Sequence, residues 1–488
     1  MDKSAAEREA IRLWRNLPLQ ERLSPQQAIA FAAMVAPTLD FDEPHKRSKQ
    51  IEGWLLKDLP RTQRAVAMGP GAQSGAQLVL PAPSWPQREG ASAIAFVIAL
   101  LLMIARRADI LTNAMFWAED GAVFFADAYN HGWTSLIQPY AGYFQLFPRL
   151  IFDIATLLPV RWAPLFGVWV ALLVRAALPA FIFSSRLAGI DWRAKVALTA
   201  YYLLMPNLAE VHANIVNTQL YLGLYLLAVI LADAPRTVAW KIHDWAVLVI
   251  AGLSGPFVIF VLPVLGFRLH AQRDMPSARL PFMGLAVAIA VVQMACIGVT
   301  AGLASPLGAD PLAMLSILGT RVYLGFITPV RWAATLSGSA AGLVLFAIGA
   351  AISVAVFVRG DWRAKGLVLI APLMIAASFY SPVFALSQPQ WPGYFDGNPA
   401  ERFFVVSAVA WAGTVFYFAA IYLRRLSALT LAAGIAVCGF FILLEFTIAA
   451  VPGAQFVEQA AMIERAEPGS AVTVPIAPPG WVMTLIKH

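Results

Sequence analysis

Glu119 and Asp120 stand side by side in a polar stretch of an otherwise apolar chain. A carboxylate at a partly desolvated boundary has a raised pKa and can serve as a general base toward a hydroxyl. The stretch reads FWAEDGAVFFADAYNHGWTSLIQPYAGYFQLFPRLIFDIATLLP over Phe116–Pro159. It also carries Asp127, His131, a turn with Tyr140, Gly142 and Tyr143, and Arg149. Asp127 follows Asp120 by seven residues, a spacing that on a helix puts both carboxylates on one face. So much polarity in one loop points to chemistry there, and a merely solvated acidic loop is the alternative. His131 near these carboxylates raises the question of a divalent cation. No HExxH or similar spacing is present, so no metal cofactor is expected, with weak divalent binding at most.

The elements that must position these groups are membrane spans. Of 488 residues 59% are hydrophobic and only 13% charged, against about 25% in soluble domains. Mean hydropathy is +0.69. The composition predicts an all-α polytopic membrane protein in contact with a lipid bilayer. The basic pI of about 9.5 needs no nucleic-acid partner, because most of the 35 Lys and Arg fall in the N-terminal tail and in alternate loops. Cys296 and Cys438 both lie inside apolar runs, which argues against a disulfide framework or a metal knuckle.

Residues 1–60 read as a small cytosolic helical segment, opened by Ser24-Pro25-Gln26-Gln27, and residues 61–90 as a Gly/Pro/Gln-rich linker. Because a long polar stretch precedes the first apolar span, that span acts as an uncleaved anchor. The transmembrane domain covers 91–450, with spans expected at 91–108, 163–184, 195–206, 217–233, 245–254, 256–267, 279–300, 339–358, 364–380, 403–423 and 428–450. The pair around Leu253-Ser254-Gly255-Pro256 is taken as two crossings that turn at the outer surface, and 311–336 as an interfacial or re-entrant helix. About 11 transmembrane helices follow. The positive-inside bias then places the N-terminus in the cytoplasm and the 451–488 tail, too short for a domain, on the extracytoplasmic side of a bacterial inner membrane. Arg106 and Arg107, at the outer end of the first span, run against the bias. Holding a lipid phosphate, snorkelling and pairing with Asp109 are the three readings.

Trp117-Ala118-Glu119-Asp120-Gly121, the short helix, the Pro-Tyr-x-Gly-Tyr turn and Pro148-Arg149 together resemble the first extracytoplasmic loop of the polytopic GT-C glycosyltransferases. The likeness extends in layout over roughly residues 91–450. It implies a GT-C-like bundle with interfacial helices in that loop and a polyprenyl-phosphate-linked sugar as donor. The acceptor would be a glycan or lipid of the cell envelope. By the resemblance Asp120 is the base and Glu119 the second carboxylate, though the order could be reversed. Arg402, with Arg149 and Arg107, would bind the donor phosphate, much as basic residues in late outer loops of that superfamily do, and Arg321 and Arg331 are weaker candidates. Asp127, Tyr143, His212, Asn214 and Asn217 are candidates for holding sugar or acceptor; satisfied loop capping is the other reading of the last three. A transporter or lipid-linked-sugar flippase is the rival, although mid-span charges are sparse and no internal repeat is visible.

Overall fold

The computed structural model describes residues 90–271, 280–299, 306–380, 389–395, 400–423, 428–450 and 456–488. The expected N-terminal segment and its linker, up to residue 89, lie outside them. All described residues belong to one compact unit, Leu80–His488. The apolar runs form helices: α1 Ala91–Arg106, α2 Leu146–Ala155, α3 Ala163–Ile182, α4 Trp192–Leu204, α5 Thr218–Leu231, α6 Val238–Gly252 and α7 Phe257–Ala271. They continue with α8 Leu280–Val299, α9 Ala340–Arg359, α10 Trp362–Tyr380, α11 Val405–Tyr422, α12 Ala428–Leu444 and α13 Phe456–Arg465. Five of these, α3, α8, α9, α10 and α11, are long and apolar enough to cross a membrane. The chain is therefore a mostly helical, multi-pass membrane protein.

Their broad apolar surfaces pack differently. The central helix α5 is buried along most of its length, whereas α8 and α9 expose large side chains such as Val291, Met294, Val344 and Ile348. A helix apolar all round is stable either in a core or against hydrocarbon, and both cases occur here. Between α8 and α9 the chain is broken. Asp310 caps a short helix, Pro311–Ile317, by accepting from the Ala313 amide at 2.9 Å. A π-helical stretch, Leu318–Leu324, and a further turn of helix at Val330–Ala334 follow.

Contacts between loops sort them into two ends. At one end the first loop meets the α6–α7 turn, where the Leu146 amide donates to the Leu253 carbonyl and the Phe147 amide to Ser254 Oγ, both at 2.9 Å. The 205–217 loop joins the same end through Asp120, Asn207 and Glu210. At the other end Arg186 grips Asp244 with two bonds of 2.8 Å. There Arg363 binds Asp233 and the Leu231 carbonyl, and Arg268 donates to the Ile230 and Ala232 carbonyls left open where α5 stops.

The mostly helical chain agrees with the expected all-α class, and a small two-stranded sheet is added to it in the C-terminal segment 456–488. After α13, strands β1 Ala471–Ile476 and β2 Trp481–Ile486 form an antiparallel hairpin. Its alternating burial puts Val474, Ile476, Met483 and Leu485 against the first loop, which is the period-2 signature of a sheet with one covered face. Arg106, in turn, is fully buried and neither snorkels nor pairs with Asp109. Its guanidinium donates to the carbonyls of Leu203, Met205, Glu445 and Phe446 at 2.8–3.1 Å. One cation thus satisfies carbonyls orphaned at the ends of α4 and α12.

Candidate functional site

At Trp117–Asp120 the chain turns sharply. Ala118 takes φ 42°, a left-handed conformation that costs a residue with a Cβ on the order of 1–3 kcal/mol. Among the described residues, three other non-glycine residues share this region of conformational space: Ala141, Asn207 and Ala213. All four lie in the loops of the site end. At 140–143 the Tyr140 and Tyr143 backbones exchange hydrogen bonds of 3.0 and 3.2 Å across Ala141 and Gly142, both with positive φ. That is a tight hairpin turn, and it brings the two tyrosines to one place.

Asp120 and Glu119 have opposite surroundings. Asp120 is buried, and its two carboxylate oxygens accept the amides of Ile215 and Val216 at 2.9 and 2.7 Å, just ahead of α5. It therefore caps the turn into a helix 95 residues away. Burial pushes this carboxyl up to about 8, with the two amides pulling against the shift and Glu119 adding to it. Glu119 is half-buried, and among the described residues it has no ion-pair partner. It lies within electrostatic reach of Tyr140, Tyr143 and Arg402. Burial raises both phenols, that of Tyr140 to about 12. Both hydroxyls therefore keep their protons at neutral pH and can donate hydrogen bonds.

Arg402 reaches this spot from a 3-10 turn, Glu401–Phe403, that precedes α11. It forms an ion pair with Glu210, and its backbone amide donates to the same carboxylate at 3.2 Å. The Arg402 side chain is 32% exposed. The Glu210 amide donates to Glu401 at 3.0 Å, and burial raises the Glu401 carboxyl to about 7. A cavity of about 20 Å³, room for a single water, adjoins Glu401, Arg321 and Asn207.

The structure thus brings Glu119, Tyr143 and Arg402 together and leads the other candidates elsewhere. Asp127 pairs with Arg149 at 3.1 Å, and Arg149 lies over the Phe124 ring. The two aspartates do not share a face. Residues Asp120–Phe125 are π-helical, and the wider turn breaks the 3.6-residue register on which a spacing of seven depends. Arg107 sits 3.4 Å from Asp109. His212 is buried against Arg175 at 3.3 Å, and burial with the charges of Arg175, Arg106 and Arg107 holds its imidazole neutral, well below the ordinary value. Asn214 and Asn217 donate to the Glu210 carbonyl at 2.8 and 3.3 Å and so brace the residue that orients Arg402. His131 is exposed, and among the described residues no three metal-ligating side chains converge.

Glu401, and Glu210 as the partner of Arg402, were missed. The signal was a Glu-Arg pair immediately before an apolar helix, where charges taken out of water are expected to be paired. In comparisons with known proteins, no family model matches the chain, and no curated protein or solved structure is significantly similar to it.

Proposed function

We propose that the chain is an inverting membrane glycosyltransferase that moves a sugar from a polyprenyl-phosphate donor to a cell-envelope acceptor. The observation that carries this reading is the surroundings of Glu119. A carboxylate without an ion-pair partner among the described residues lies within electrostatic reach of the ion-paired Arg402 and of two protonated tyrosines, at the end of the bundle where three loops meet. Glu119 would take the proton of an acceptor hydroxyl as its oxygen bonds to the anomeric carbon. The bond from that carbon to the phosphate oxygen breaks, and the lipid phosphate leaves against Arg402. Asp120, with both oxygens engaged by backbone amides, sets the position of Glu119 instead of taking the proton.

Loop contacts support the topology this needs. The first loop and the 456–488 segment touch, so an even number of crossings separates them. Ten helices, α3 to α12, fit that parity, and α1 makes eleven. The opposite end carries Arg186, Arg268, Arg359 and Arg363, which by the positive-inside bias makes it cytoplasmic and the site extracytoplasmic.

The test is transfer of labelled sugar by purified protein in lipid from a panel of polyprenyl-phosphate-linked sugars. Transfer that Glu119→Gln abolishes in a folded protein supports the reading. Movement of the lipid-linked sugar across the bilayer without transfer would replace it with a flippase.

A further inference from the structure

The 456–488 segment makes contacts far beyond those of a cover over a cavity. The Ala118 amide donates to the Ala477 carbonyl at 2.5 Å, and the Ala477 amide returns a bond to the Phe116 carbonyl at 3.1 Å. This short parallel bridge pairs Trp117 with Ala477, and Glu119 comes two residues later. The bridge falls on Ala118, whose left-handed backbone persists only where surrounding contacts over-determine it.

Side chains lock the same register. Ile476 and Met483 are buried with Phe116, Phe124 and Phe125 in one apolar cluster, and Phe456 meets the Phe116 ring edge-on with centroids 5.0 Å apart. A Cβ on Gly121 would lie 2.9 Å from Ile476 Cδ1 and 2.7 Å from Phe116 Cβ, so glycine there admits Ile476 over the start of the π-helical turn. At the far edge, the half-buried Asn130 amide donates to the Thr484 carbonyl at 3.2 Å, and its oxygen accepts the Ile486 amide at 2.8 Å. Asn130 thus supplies the hairpin edge with the partners a third strand would give.

We infer that the 456–488 segment is a positioning element of the site: Ile476 and Ala477 clip the Trp117–Gly121 turn and thereby aim Glu119 at Arg402. The structural part stands on these contacts alone; its consequence for turnover rests on the function proposed above.

Hydrogen exchange of the full chain in lipid tests it, with Ile476→Asp as the strong variant and Asn130→Ala as a mild, surface one. The expected result is exchange at residues 118–125 faster by on the order of tenfold, unchanged protection in α3 and α11, and a fall in kcat with little change in KM. The inference is overturned if the amides of 482–486 exchange openly in either variant while those of 118–125 keep their protection. Should the loop loosen as expected and wild-type protein transfer no sugar, the clip stands and the proposed activity falls.

Discussion

Both ends of the helical bundle hold ion pairs, and they differ in what surrounds them. At the Arg186 end Arg186 closes on Asp244 and Arg363 on Asp233, and the His243 ring bonds Asp244 and the Tyr225 hydroxyl. Rings of Phe181, Tyr225 and Trp240 surround His243. At the Glu119 end, residues with positive φ gather, the Arg402 side chain is partly exposed, and Glu119 lies within electrostatic reach of two tyrosines with no ion pair among the described residues. Closed networks fix helices in place. Strain and an uncompensated carboxylate have to be held by their surroundings, and they cluster where function needs a defined geometry.

The difference is broken or sharpened by substitution. Glu119→Gln has the largest expected effect: a loss of about 10²–10⁴-fold in transfer with an unchanged melting temperature, read by turnover and thermal unfolding on one preparation. Asp244→Ala is the mirror experiment. It strands the buried Arg186 guanidinium and costs about 3–5 kcal/mol, seen as a large fall in melting temperature, while the properly folded fraction keeps its activity per molecule.

A third test uses pH. In the folded protein the Asp120 carboxyl is raised from 3.8 to about 8, and that of Glu401 from 4.5 to about 7. The folded state then holds protons that the unfolded chain releases, so this stabilisation is full below about pH 4 and is lost as pH rises toward 8. Thermal stability is expected to decline across that window, and the decline to be shallower in Asp120→Asn. The smallest effect belongs to Arg331→Gln. Its pair with Glu445 is 3.4 Å long with the arginine 65% exposed, so solvent screening leaves well under about 1 kcal/mol, within the scatter of a thermal melt.

Much of this division was legible in the sequence. The helices follow from apolar runs of span length, and the turn at Leu253–Pro256 from a Gly-Pro step that removes an amide donor. The isolation of Glu119-Asp120 among hydrocarbon marked the pair as a candidate. The split of roles within the pair was hidden, because it depends on the Ile215 and Val216 amides, remote in sequence. None of the three sequence readings of Arg106 foresaw its place, since sequence does not reveal that two other helices end beside it with open carbonyls. The hairpin was hidden because Val472, Val474 and Ile476 alternate over too short a run to stand out beside the long apolar runs.

The central claim is that Arg402 meets a lipid phosphate at the Glu119 end, and it is tested most directly by thermal shift in detergent with polyprenyl phosphate. The lipid is expected to raise the melting temperature of wild type, and of Arg331→Gln equally, but to have little effect on Arg402→Gln. Folded wild-type protein left unmoved by the lipid, or Arg402→Gln stabilised as strongly as wild type, would contradict it.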